Sequence, residues 1–204
     1  MAAGRVATGF SYPVVAKYNA AGNDVSFSGG MVLARGVSVS LDITVSDDNS
    51  FYADNVQAET DNGRFEKGVV KLVVDGLNPD ARRFALGYPE PVEVSYGGSQ
   101  KVMVTKDGDA TKPPYLGIGY IVRYRCGGED IYVPTILVKS KFRNPGGEYS
   151  TQEKSINWQT ETLEADLSRD DTSSHDWRWI LADQTSEEAA KAILAGLFQI
   201  GVSG

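Results

Sequence analysis

The sequence predicts a mainly β protein. Three observations carry this. Val37, Val39, Leu41, Ile43 and Val45 alternate strictly with Ser38, Ser40, Asp42 and Thr44, the period of a strand with one buried and one wet face. Most of the 22 glycines stand between apolar runs rather than inside them, as turns between short strands require. Gly127-Gly128 separates two long arms rich in Ile, Val and Tyr, Leu116–Cys126 and Asp130–Phe142, the pattern of a hairpin.

The remaining elements follow in order. The first ten residues are mostly small and polar and read as a flexible arm. Ser11–Tyr18 reads as a strand, and Pro13 places it at a sheet edge because proline has no N–H for a ladder. Met31–Val45 is a long strand or a bent pair, with Gly36 as the site of a bulge. Ser46-Asp47-Asp48-Asn49-Ser50 is an acidic loop without glycine, too long for a tight turn, so residues 46–65 are expected to project. Val69–Asp75 is a further strand. Asn78-Pro79-Asp80 is a helix start, with a capping amide, a proline in the first turn and an acid at the positive end of the dipole; Gly87 stops it. Val92–Tyr96 and Lys101–Thr105 flank Gly97-Gly98 as a second hairpin. Lys139, Lys141 and Arg143 share one side of their arm, which makes that face wet and basic. Ile156–Leu167 alternates again, with Leu163, Ala165 and Leu167 facing a core and Thr160, Thr162, Glu164 and Asp166 facing out. Thr185-Ser186-Glu187-Glu188 is a capping box that opens a C-terminal helix over 185–200. No repeat or linker divides the 204 residues, so one domain of roughly nine strands and two helices is expected.

Composition narrows the function. A net charge of −7 is the wrong sign for a broad grip on phosphate, though not for contact with DNA that must slide without sticking. The single Cys126 cannot form an internal disulfide, and no apolar run approaches a membrane span. No membrane insertion is expected, and synthesis in a cytoplasm is the simplest history.

No catalytic constellation stands out. His175 is the only histidine, and Ser173, His175 and Asp176 are too close in sequence to face one another as a relay; a polar turn before Trp177 and Trp179 is the plainer reading. The aspartate clusters lack the spacing of a calcium loop. Glu164 and Asp166 lie about 7 Å apart on one strand face. With Trp158 on the same face they form the basis of an alternative reading, a carbohydrate-binding module. No enzyme activity, metal or cofactor is expected.

Several segments together are more specific. Phe51-Tyr52-Ala53-Asp54-Asn55-Val56, the stretch from Gly76-Leu77-Asn78-Pro79 to Leu86-Gly87, Lys112-Pro113-Pro114-Tyr115, Tyr132-Val133-Pro134-Thr135, and Trp158-Gln159-Thr160 through Arg169-Asp170-Asp171 occur in one order. In that order, from about Thr8 to the final helix, the chain resembles the major tail protein of long, non-contractile-tailed phages, especially those of Gram-positive hosts. The resemblance implies a β-sandwich or barrel-like tail-tube fold with a flanking α-helix, in one domain without an appended immunoglobulin-like domain. It implies a virion protein assembled in the host cytoplasm into stacked hexameric rings, whose inner strands join around a channel. The channel holds a tape-measure protein and later passes DNA. A tail terminator and a distal tail protein are the implied partners at the ends. A tube protein of a bacterial injection machine is a related alternative.

On this resemblance the 46–65 segment contacts the next ring, through Asp47, Asp48, Phe51, Tyr52, Asp54 and Asn55. For Phe51 and Tyr52 a second reading stays open, that they fill their own subunit's core. Asp42, Glu164 and Asp166 are competing candidates for acids that line the channel and repel phosphate, with the outer surface as the other possibility.

Overall fold

The computed structural model describes residues 4–47, 49–53, 56–61, 63–146 and 159–201, with the backbone alone over 49–53 and 56–61. The strands are β1 (Val6–Ala21), β2 (Asp24–Val32), β3 (Gly36–Val45), β4 (Asn49–Ala53), β5 (Val56–Asp61), β6 (Phe65–Val74), β7 (Val92–Tyr96), β8 (Gln100–Val104), β9 (Leu116–Cys126), β10 (Glu129–Phe142), β11 (Glu161–Ser168) and β12 (Arg178–Ile180). Two helices, α1 (Pro79–Leu86) and α2 (Glu187–Phe198), complete the described elements. The large sheet runs β2-β1-β9-β10-β11-β6-β3, with β12 beside β10; β4–β5 and β7–β8 are separate two-stranded sheets. Every pairing is antiparallel. The fold is therefore mainly β and sandwich-like, as expected.

β10 organises the sheet. One of its edges pairs with β9; on the other, Thr135–Leu137 pairs with β12 and Lys139–Phe142 with β11. The change of neighbour divides the sheet into two limbs. Leu116, Ile118, Tyr120 and Leu137 of one limb share a core with Val70, Leu72, Val74, Leu163, Ala165 and Leu167 of the other, closed by Ala81, Ala85 and Leu86 of α1. The opposite face of the first limb packs Val14, Ala16, Phe27, Ile121, Ile136 and Val138 against Ala190, Leu194 and Phe198 of α2. β9 and β10 are thus buried on both faces over Leu116–Ile121 and Val133–Val138, which is why these segments read as continuous apolar runs rather than alternations.

Gly117 and Gly119 shape that helix-facing side. A Cβ on Gly117 would stand 2.3 Å from the Phe27 ring, and one on Gly119 would stand 2.8 Å from Val14. The missing side chains leave the hollow in which Phe27 stacks on Phe198, ring centroids 4.8 Å apart.

Local chemistry explains the helix ends. Asn78 Oδ1 accepts from the Ala81 N–H at 2.7 Å, and Gly87 takes the left-handed conformation that terminates α1, φ 69°. α2 starts one residue later than its capping box implies: Ser186, not Thr185, accepts from the Ala189 N–H. It ends on Gln199 in the left-handed region rather than on a glycine.

Three expectations are corrected. The arm is shorter than ten residues, because Val6–Phe10 already pairs with Val122–Arg125 of β9. Pro13 is not at an edge: β1 lies between β2 and β9, and Pro13 falls where the β1–β9 register shifts between Ser11 and Val14. The bulge removes the need for its N–H, while its carbonyl still accepts from the Leu33 N–H at 3.0 Å. The 46–65 segment is not an irregular loop. It is a hairpin, β4–β5, continuing from the β3–β6 pair, with the Ser46 N–H donating to Arg64 O at 2.8 Å and the Arg64 N–H donating to Ser46 Oγ at 2.9 Å at its base.

Tyr120 gives this core a pH signature. Burial pushes its phenol up from 10.0 to about 12, because the phenolate would sit in apolar surroundings. A raised folded-state value means the contribution is whole below pH 10 and is lost as pH rises from 10 to 12. At roughly 1.4 kcal/mol per pKa unit this amounts to about 2–3 kcal/mol. Urea denaturation across pH 9–12 is expected to show wild type losing more stability over that window than Tyr120→Phe; parallel losses would place the phenol outside the core.

Candidate functional site

The wet face of the second limb brings the predicted polar residues together. In antiparallel pairs, opposed residues share a face. The register Ser40↔Lys71↔Glu164 therefore forms one row, and Asp42↔Val69↔Asp166↔Lys141 the next. Arg143 continues the first row, its N–H donating to the Glu164 carbonyl at 2.8 Å.

The geometry corrects the expectation of an acidic face. Arg143 bridges the two strand acids, Nη2 lying 2.5 Å from Asp166 Oδ1 and Nη1 3.3 Å from Glu164 Oε2. Lys71 Nζ reaches Glu164 from the other side at 3.3 Å. The hydrogen bond from Arg143 to Asp166 holds the guanidinium above its ordinary pKa. Asp42, Glu164 and Asp166 thus share the face with Lys67, Lys71, Lys139, Lys141 and Arg143. The basic row of β10 and the acidic row of β11 were each legible in the sequence; their adjacency was not.

Lys139 is held more firmly than its neighbours. Its Nζ lies 2.6 Å from Asp171 Oδ1 and stacks over the rings of Tyr18 and Tyr115 at 5.3 and 4.8 Å. The same ammonium draws the Asp171 carboxyl below its usual range.

β3 is the second feature. It is the last strand of the sheet, and among the described residues it pairs only with β6, which leaves the backbone groups on its other edge without a strand partner there. Its apolar face is only half covered. Val39, Leu41 and Ile43 pack on the core while Val37 and Val45 are 53% and 58% exposed.

Of the residues proposed for ring contact, Asp47 is exposed beside the base of the β4–β5 hairpin. The backbones of Phe51 and Tyr52 lie in β4, opposite Glu59 and Gln57. Asp48, Asp54 and Asn55 lie outside the described residues, as do the side chains of Phe51 and Tyr52 and the whole of Trp158.

The segment around His175 is a turn. His175 is exposed with φ 53°, Ser173 takes the side-chain oxygen of Asn23 on its N–H, and Asp176 Oδ2 accepts from Trp179 Nε1 at 3.3 Å. Buried Asp170 accepts from Thr172 Oγ1 at 2.7 Å and braces the same turn. These bonds tie the segment to the strands around it.

No protein-family model matches the chain and no curated protein matches its sequence. Among the described residues, no helix is long and apolar enough to cross a membrane.

The Arg143–Asp166 pair is solvent-exposed, so its coupling should be electrostatic and screenable. A double-mutant cycle with Arg143→Ala and Asp166→Ala, read by urea denaturation, is expected to show coupling at low salt that vanishes near 1 M salt, where the Debye length is ~3 Å. Coupling that salt leaves unchanged would contradict this geometry.

Proposed function

We propose that this chain is a structural subunit that self-assembles into stacked hexameric rings, forming the tail tube of a long, non-contractile-tailed phage. One observation carries the reading. β3 is a ten-residue strand whose outer edge no described strand pairs with and whose apolar face is half open, and the β4–β5 hairpin continues from its far end. An edge of this length is a template for pairing unless another chain or a closed barrel satisfies it. Rings of sister copies would supply the missing neighbour.

On this reading the virion is the protein's location. The tape-measure protein occupies the channel before DNA, and terminator and distal proteins cap the ends. The mixed-charge face is then the natural channel wall. Its acids repel phosphate, and Glu164 and Asp166 engage Lys71 and Arg143, so part of its cationic charge is compensated. The β4–β5 hairpin, through Asp47, Asp48, Phe51, Tyr52, Asp54 and Asn55, is the proposed contact to the next ring.

The carbohydrate reading gains no support, since Arg143 engages both of the carboxylates it would use. An injection-machine tube would share the same assembly, and a neighbouring gene for a tape-measure protein would favour the phage. Purified protein, concentrated and viewed by negative-stain electron microscopy, is expected to form rings or tubes with a central hole. A protein that remains monomeric at high concentration, with no such particles, would overturn the proposal.

A further inference from the structure

We propose that the β7–β8 hairpin is a donated strap that adds to the free edge of β3 on a second copy of this chain. The proposal rests on the assembly reading above and names the segment that meets the edge.

The hairpin is amphipathic, and among the described residues most of its apolar face is left exposed. Its register, Val92↔Val104, Val94↔Val102 and Tyr96↔Gln100, puts five large apolar side chains on one face. Glu93, Ser95, Lys101 and Met103 form the other, where Lys101 Nζ pairs with Glu93 Oε2 at 3.1 Å. Val92, Val94, Tyr96 and Val102 are 42%, 36%, 54% and 47% exposed. Among the described residues no other strand pairs with either arm. A lone two-stranded sheet is marginal in water, and a contiguous apolar face on it calls for a partner.

β3 is the matching acceptor. Between Ser38 and Thr44 it too alternates, with Val39, Leu41 and Ile43 toward the core and the polar residues outward, and among the described residues no strand pairs with its other edge. Because side chains alternate with period two, adding the hairpin in phase would make one continuous apolar face and one continuous polar face; a one-residue slip would expose both apolar sets. Arms of five residues, about 16 Å long, would cover roughly half of β3. That is a small contact, suited to reversible assembly through many copies rather than to a stable isolated dimer.

The occupant is a sister copy because the chain carries both halves of the match and does not join them itself: no ladder links β3 to β7 or β8. A contact between two different patches of identical chains is head-to-tail, and head-to-tail contacts close into rings or run on as filaments.

Two measurements on the full chain test this. In a Cys126→Ser background, copies carrying Val94→Cys are mixed with copies carrying one cysteine at Val37, Val39, Leu41, Ile43 or Val45, then mildly oxidised. A crosslinked heterodimer is expected for at least one β3 position, and none at any of them would overturn the proposal. Separately, Val94→Lys combined with Val102→Lys is expected to raise the concentration needed for assembly about tenfold or more, with the monomer's melting temperature unchanged. A double variant that forms tubes as wild type does would remove the strap and leave the tube reading standing. Wild type that never assembles would remove both.

Discussion

The constraint on which this molecule turns is the pairing of backbone groups along a single sheet. Seven strands satisfy one another in series, and the series has to stop somewhere. At one end β2 has company: α2 packs on it so closely that a Cβ on Gly30 would stand 2.3 Å from the Phe198 carbonyl. At the other end no described strand pairs with the outer edge of β3, and β1 lies against its start, where a Cβ on Gly36 would stand 2.2 Å from the Phe10 ring. The protections there are light: β3 has no proline, one charged residue, Asp42, and register shifts only near its two ends, between Gly36 and Ser38 and between Thr44 and Val45. An edge left in that condition is costly to a lone copy and useful to an assembling one.

The same series places the charges. β11 carries acids at alternate positions; it lies between β10, with bases at the same phase, and β6, with Lys67 and Lys71. The outcome is a polar surface that mixes both signs, with Glu164 and Asp166 paired to Lys71 and Arg143, although the chain as a whole has a net charge of −7. Global charge and the charge of one working face are therefore different quantities here. Any account of how the wet limb meets a polyanion has to begin from Arg143 and its two carboxylates rather than from the total.

Much of the fold was legible because its signals are local. Alternation identified β3 and β11, paired glycines identified the β7–β8 and β9–β10 turns, and Asn78-Pro79 identified α1. The failures share one cause, which is that neighbours in the sheet are distant in the chain. Pro13 reads as an edge residue until a bulge against β9, over a hundred residues away, makes its missing N–H harmless. Glu164 and Asp166 read as a bare acidic face because nothing within β11 announces Lys71 or Arg143. The alternation of β7 and β8 reports an apolar face but is silent on whether anything lies against it. For the ring-contact candidates, periodicity found the segment 46–65 but took a hairpin for a loop, because the connection between Ala53 and Val56 is Asp54-Asn55 and the segment's Asn-Gly, Asn62-Gly63, comes only after β5.

The central claim is that the outer edge of β3 is open in the single copy and closed in the assembly. Hydrogen–deuterium exchange of the β3 amides, read in dilute monomer and in assembled material, tests it most directly. Amides that point away from β6 should exchange rapidly in the monomer and become strongly protected on assembly, while those that point toward β6 stay protected throughout. Outward amides that are already protected in the monomer, or still unprotected in the assembly, would contradict the account.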